Sequence, residues 1–267
     1  MKKRIIGFIV IIIAFPLFAH EFWLSANKFF FYQNETAIIS FNVGEGFEGS
    51  NWKGNRNKAK QLYQITPSGK KIDLKDSLSL IEGDSMYLKL TEEGTYMVAY
   101  NSINSFITLA PEKFAEYAKE DGLTYIIKER EKRNESNKPS NEYYQRSVKT
   151  LVQVGNKISS NCTKPTDLPL DIVPLKNPYA IEKKDESISF KVNFKNKLLK
   201  NYLIKVWLKK DNKLISNKDI YTDQNGIINV TNIEGIHMIS CVYMERNTTD
   251  KKADWQSYWG SITYQTK

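Results

Sequence analysis

The sequence predicts a mainly β protein made of two β-sandwich domains, immunoglobulin-like or transthyretin-like, joined by a short helical segment. Three observations carry that expectation. Short runs rich in β-branched and aromatic residues recur at roughly ten-residue spacing with turn signals between them. That rhythm is interrupted between Pro111 and Gly155, where apolar residues fall at helical spacing. Strand and helix do not alternate regularly, which disfavours an α/β enzyme fold. With 267 residues the chain can hold two domains of about 100 residues each. Its 41% hydrophobic and 12% aromatic content, with 13 Gly and 8 Pro, excludes a disordered tail, a collagen-like rod and a disulfide-dense miniprotein.

The elements follow in order. Lys2, Lys3 and Arg4 precede the apolar run Ile5 to Phe18, and the small residue Ala19 follows, the layout of a cleaved secretory signal over residues 1–19. The run is shorter than the ~20 apolar residues of a spanning helix. The protein is therefore expected to be secreted, into the periplasm. Residues 20–110 read as an N-terminal β-sandwich domain, with strands at Ala37 to Val43, Tyr63 to Thr66, Met86 to Leu90 and Tyr96 to Ala99. Turns fall at Gly44-Glu45-Gly46, Pro67-Ser68-Gly69, Glu82-Gly83-Asp84 and Glu92-Glu93-Gly94. Asn51 to Lys60, with Trp52 among Lys and Arg, reads as a solvated loop.

Residues 111–155 read as a helical connector. Pro111 suits a first helical turn, and Phe114, Tyr117, Ala118, Tyr125 and Ile126 fall near one face, with Gly122 a weak point between them. A second helix is expected from Glu142, with Tyr144, Val148, Leu151 and Val152 on one face and Gly155 as its stop. Residues 156–167 read as a linker. The C-terminal β-sandwich domain, 168–267, is expected to hold seven short strands, among them Ile188 to Phe194, whose apolar residues alternate strictly with polar ones. Asn225-Gly226 marks a turn needing positive φ.

Composition also excludes functions. The formal charge is +9, but three basic residues belong to the leader, and from Pro111 to Lys149 nine Lys and Arg face eight Asp and Glu. Interleaved charge of this kind is a salt-bridged surface, so no nucleic-acid partner is expected. Two His and two Cys cannot build a three-His zinc site, a four-thiolate site or an iron–sulfur cluster. No Gly-x-Ser-x-Gly elbow, His-Glu-x-x-His helix or phosphate-binding Gly loop occurs. The expectation is a protein without catalytic activity.

The candidate site is small. A cut after Ala19 leaves His20 with a free amine beside its imidazole, a bidentate grip for a divalent transition metal such as Ni, Co, Cu or Zn. Glu21 could add an oxygen ligand. In a strand from Ile236 to Met244, His237 and Cys241 share one face, so His237 is the candidate second nitrogen ligand. Cys241 is either a further ligand or, in an oxidising compartment, the disulfide partner of Cys162. An N-terminal His with a second His is also the copper brace of oxidative enzymes, and here only His237 could complete one. Trp255, Tyr258, Trp259 and Tyr264 are either a platform for sugars or the filling of a sandwich core. Arg146 and Lys149 are either an anion site or partners of neighbouring acids.

Several segments together resemble a known family. They are His20-Glu21-Phe22-Trp23-Leu24; Phe114-Ala115-Glu116-Tyr117 with Glu120-Asp121-Gly122-Leu123; and Tyr144 to Val152. Leu170 to Leu175 with Asn177-Pro178-Tyr179, the turn Thr222-Asp223 to Gly226, and the ending Trp255 to Tyr264 complete the set. In this order they resemble the bacterial secreted domain-of-unknown-function 4198 family, often labelled the periplasmic component of a cobalt or nickel transport system. The resemblance implies secretion, two β domains bridged by helices and a link to transition-metal uptake, with a membrane transporter or receptor as partner. The expected function is a periplasmic binding or accessory protein of transition-metal handling. The competing expectation, from another class, is a non-metal structural or interaction protein of the cell envelope that binds carbohydrate or protein.

Overall fold

The computed structural model describes residues 21–81, 85–181 and 186–267, so His20 and the leader expected over residues 1–19 lie outside the described residues. In chain order these form β1 (Glu21–Ala26), β2 (Phe30–Phe31), β3 (Thr36–Glu45), β4 (Glu48–Asn51), β5 (Ala59–Ile65), β6 (Lys71–Asp73), β7 (Ser85–Lys89), β8 (Gly94–Ser102) and β9 (Ser105–Leu109). Two helices follow, α1 (Pro111–Glu120) and α2 (Thr124–Lys132), and then β10 (Ser140–Val154). The rest is β11 (Leu170–Pro174), β12 (Ser187–Phe194), β13 (Lys197–Leu198), β14 (Leu203–Lys210), β15 (Lys213–Tyr221), β16 (Ile227–Thr231), β17 (Gly235–Arg246) and β18 (Trp255–Thr266).

The fold is mainly β, as the turn spacing predicts, and its layers are sandwiches. A ten-stranded sheet runs β15-β14-β17-β18-β10-β8-β5-β6, with β2 and β9 also paired to β10. On one face lies a four-stranded sheet in which β3 pairs with β1, β4 and β7. Phe22, Leu24, Ile39 and Phe41 from this sheet interleave with Tyr96, Tyr100, Val148 and Val152 of the large one. On the opposite face β11, β12, β13 and β16 form a third sheet, and Ile172, Phe190 and Val192 pack on Leu151, Ile239, Ile262 and Tyr264. Side chains alternate across a strand, so Val148 and Val152 of β10 serve one core while Leu151 serves the other.

The helix expected from Glu142 is instead strand β10. Its first half pairs with β9 and its second with β8 on one edge, and β18 runs parallel to it on the other. Both halves of the chain therefore share one sheet through residues assigned by sequence to a helical connector. Tyr144, Val148, Leu151 and Val152 fit a helical face, but from Ser147 to Val154 every residue is buried. A strand covered on both faces shows a nearly continuous buried run, and Val148, Thr150, Val152 and Val154 are the β-branched residues such a strand favours.

Helices appear where Pro111 predicts them. α1 buries Phe114, Tyr117 and Ala118 against Val242, Met244, Trp255 and Trp259 of the large sheet. Gly122 separates α1 from α2 with φ +71, and a Cβ there would sit 2.7 Å from Leu203 Cβ, so both the conformation and the space require glycine. In the charge-alternating run, Arg130 turns inward and is buried. Its guanidinium donates to Ser140 Oγ and to the carbonyls of Glu135 (2.7 Å) and Lys138 (2.6 Å), pinning the loop that leads into β10.

Trp52 corrects the solvated-loop reading of Asn51 to Lys60. It packs edge-on to Phe22 at 5.7 Å between ring centroids and lies 5.5 Å from Phe41. Trp255, Tyr258, Trp259 and Tyr264 are all buried core residues, so they offer no surface platform to a sugar.

Candidate functional site

β1 crosses the large sheet and is held there through its backbone. Ser261 Oγ donates to the Phe22 carbonyl (2.8 Å) and Thr263 Oγ1 to the Leu24 carbonyl (2.6 Å). This register sends Phe22 and Leu24 into the core with Phe41 and Tyr100 and turns Trp23 toward Trp207 and Met238. Glu21, on the same side as Trp23 by alternation, reaches a small cavity of about 10 Å³ lined by Asp121, Lys205, Ser240 and Trp259 among others. That is room for about one water molecule.

Two carboxylates therefore converge at the head of β1. Burial pushes Glu21 up to about 7, opposed by its own backbone N–H and by Lys205 and reinforced by Glu45. Burial raises Asp121 well above the usual carboxylate range as well; Lys205 opposes this, while Glu21, Glu120 and Glu142 add to it. The Lys205 ammonium is shared, since its Nζ also stands 3.9 Å from Asp219 Oδ1. Immediately outside, a groove of about 580 Å³ opens between the α1–α2 turn and the β14–β15 hairpin. It meets the small cavity at Leu203 and brings in Glu116, Glu120 and Asp219, together with Tyr125, Tyr202 and Tyr221.

His237 does not join this site. In β17 it shares a face with Ile239 and Cys241, against the third sheet, whereas Ser240 faces β1 and accepts the Trp207 Nε1–H at 3.2 Å. Glu21 and His237 thus lie on opposite faces of the large sheet, and Ser240 is roughly 10 Å along the strand from His237. The imidazole is buried, stacks on Tyr264 at 4.9 Å with the rings 2° from parallel, and its Nε2 lies 2.7 Å from the Ile233 carbonyl. A carbonyl can only accept, so Nε2 carries the proton; burial lowers the ring's pKa to about 4 and keeps it neutral. Glu21 and His237 therefore cannot meet around one ion, and His20 lies outside the described residues. Among the described residues no three His, Cys, Asp or Glu side chains are grouped to hold a metal.

Cys162 and Cys241 both enter the core between the large and third sheets, as two free, buried thiols and not the expected bridge. Burial pushes the Cys162 thiol up to about 12 and raises Cys241 also, with Asp121 adding to the latter. Neither is poised as a thiolate ligand. Lys149, read as a helix-surface residue, is buried and paired with Asp171. The Arg146 guanidinium lies over the Phe22 ring at 4.5 Å.

Asp121 and Lys205 are the site residues that the sequence reading passed over. Asp121 sits inside the segment Glu120-Asp121-Gly122-Leu123, and an acid next to a glycine that ends a helix was the signal available. Lys205 carries none, being one lysine within an otherwise apolar run, Leu203 to Leu208.

The fold and site define a layered, mainly β protein with a partly buried carboxylate pair at the head of its first strand. The chain belongs to the family described as Domain of unknown function (DUF4198), whose model matches residues 17–245. No curated protein matches the chain. Among solved structures it is similar to the D0-D1 domain of intimin, at 12% identity and a TM-score of 0.23, covering 91% of this chain and 97% of that one. It is also similar to trypsin-activated alpha-2-macroglobulin from Escherichia coli, at 10% identity and a TM-score of 0.22, covering 94% of this chain and 16% of that one. Latent PorU from Porphyromonas gingivalis follows at 11% identity and a TM-score of 0.21, covering 92% and 20%. With scores this low, strand pairing and not likeness defines the fold.

Proposed function

We propose that this chain is a periplasmic binding or accessory protein that holds a divalent transition-metal cation, nickel, cobalt, copper or zinc, at the head of β1 for a membrane transporter or receptor. The carrying observation is a concentration of carboxylates around one opening, Glu21 and Asp121 inside and Glu116, Glu120 and Asp219 outside, five acids against Lys205 and Lys119, in a chain of net charge +9. Carboxylates buried without full compensation favour a cation in place of their protons. His20 immediately precedes Glu21, and removal of residues 1–19 would give it an amine and an imidazole to add to those oxygens. His237 has no part in this site.

Calorimetric titration of the processed protein with Ni(II), Co(II), Cu(II) and Zn(II) tests the reading. Glu21→Gln, Asp121→Asn and His20→Ala are each expected to weaken binding by at least about tenfold. Because Glu21 must lose its proton, affinity is expected to fall between pH 8 and pH 6. Equal, weak binding by all four proteins refutes the site. A second reading, a carbohydrate- or protein-binding module of the cell envelope, is favoured by the groove's tyrosines, of which Tyr221 is 66% exposed. Glycan binding lost in Tyr221→Ala with metal binding absent would select it.

A further inference from the structure

β15 ends one side of the large sheet, and among the described residues it pairs with β14 alone. Thr222, the residue after it, shows which of its backbone groups are free. The Thr222 N–H donates to the Tyr202 carbonyl and its own carbonyl accepts the Asn201 N–H, both at 3.0 Å. A strand turns the N–H and C=O of alternate residues to opposite edges. Ile220, Lys218 and Ser216 therefore bond β14, while Tyr221, Asp219 and Asn217 present theirs outward. Beyond Ser216 the register shifts, with Ile215 as the extra residue, so the regular open edge is Ser216 to Tyr221.

The side chains along this edge are placed to receive a further strand. Asn217, Lys218, Asp219 and Tyr221 are exposed. Lys218 and Ile220 border a cleft of about 190 Å³ whose lining is mixed, apolar at Val206, Leu208 and Val230 and polar at Asn229 and Thr231 of β16. A cavity of about 150 Å³ admits benzene, so one leucine side chain fits. Lys218 has no ion pair among the described residues. A second copy of this chain is a poor occupant. Opposite residues of an antiparallel pair share a face, and the two registers of longest overlap within Ser216 to Tyr221 set Lys218 against Lys218 or Asp219 against Asp219. Like charges directly opposite are destabilising, and such charges are the usual guard against self-pairing of an edge.

We propose that β15 is a docking edge for an extended segment of another protein. That segment adds antiparallel to the large sheet, sets an apolar side chain into the cleft, and places an acid opposite Lys218 and a base opposite Asp219. Backbone bonds to Asn217, Asp219 and Tyr221 supply affinity, and the cleft and the two charges supply selectivity.

The probe is the peptide acetyl-Thr-Leu-Lys-Glu-Thr-Leu-amide, whose residues in order face Tyr221 back to Ser216, and the control is the same peptide with Lys and Glu exchanged. Calorimetry of the full chain is expected to show the probe binding about fivefold tighter than the control. The amides of Asn217, Asp219 and Tyr221 are expected to exchange freely in the unbound chain and at least about tenfold more slowly at saturation. Asn217→Pro removes an N–H that no strand uses, so the fold is expected to persist and probe binding to be lost. Exchanging the two charges, Lys218→Glu with Asp219→Lys, is expected to reverse the peptide preference. No probe binding at millimolar concentration, equal affinity for the two peptides, or a preference that survives the charge exchange overturns the proposal. So does unchanged binding by Asn217→Pro, or protection of those three amides before any peptide is added. None of these outcomes depends on a metal at Glu21.

Discussion

The Lys149–Asp171 pair offers the sharpest test of how the two halves of the chain are joined. Lys149 lies on β10 and Asp171 on β11, on either side of the segment 156–167 that sequence reads as a linker. Their side chains are 1% and 4% exposed. The ammonium donates to Asp171 Oδ1, and Oδ2 accepts the Thr166 backbone N–H at 2.7 Å, so the carboxylate also ties down the end of that segment. Removing one member of a buried pair leaves a charge without compensation and costs about 3–5 kcal/mol. Asp171→Asn is therefore expected to destabilise by about that amount. Lys149→Met is expected near the low end, since its apolar stem is retained and the Asp171 carboxylate keeps the Thr166 N–H.

Removing both charges is a different perturbation. In Lys149→Met/Asp171→Asn no ion is buried, and the remaining loss is at most the Thr166 N–H, worth about 1–3 kcal/mol if left unsatisfied. The double variant should thus be more stable than the sum of the singles by about 3 kcal/mol or more, a coupling that only direct partners show. Urea unfolding midpoints for the four proteins, at matched m-values, measure it. An Asp171→Asn cost below about 1 kcal/mol, or strict additivity in the double variant, refutes the reasoning. Either result would mean that the ammonium neutralises itself or reaches water when its partner is lost.

Two further predictions concern buried titratable groups. Glu142 is 2% exposed, and burial raises it to about 7, against hydrogen bonds from Ser257 Oγ and Tyr117 that favour the ionised form. An acid whose pKa is higher folded than unfolded loses stability as pH rises from about 4.5 to about 7, here by about 3 kcal/mol in total, and changes little above that window. Glu142→Gln should remove this slope, and parallel pH–stability curves for the two proteins would contradict the assignment. Cys162 and Cys241, both buried, should resist iodoacetamide at pH 8 in the folded protein. Both should react after unfolding without reductant, whereas two unreactive sulfurs would restore the disulfide expectation.

The β class was legible because turn chemistry and alternation are local. Ile188, Phe190, Val192 and Phe194 alternate with polar residues in sequence and are buried in β12 while their neighbours are not. β10 was not legible for a physical reason: a strand buried on both faces has no alternation to show. Its apolar residues at positions 144, 148, 151 and 152 fit helical spacing equally well. Trp52 was misread because surrounding Lys and Arg describe the sequence neighbourhood, and its ring is fixed by Phe22, Phe41 and Tyr100, which approach from other strands.

The site follows the same division between local and non-local information. Alternation correctly puts His237 and Cys241 on one face of β17, but it cannot say which layer covers that face. The answer depends on β1, more than two hundred residues earlier, lying across the other face with its carbonyls held by Ser261 and Thr263. Once β1 is placed there, Glu21 can meet only side chains that face it, among them Lys205, Ser240 and Asp121. His237, three residues from Ser240, is committed by parity to the third sheet. A single strand thereby faces two chemically different surroundings, carboxylates beside Ser240 on one side and the packed core of the third sheet beside His237 on the other. The sheet between them is a continuous hydrogen-bonded wall, so no ligand can span both, and His237 cannot complete a site with Glu21.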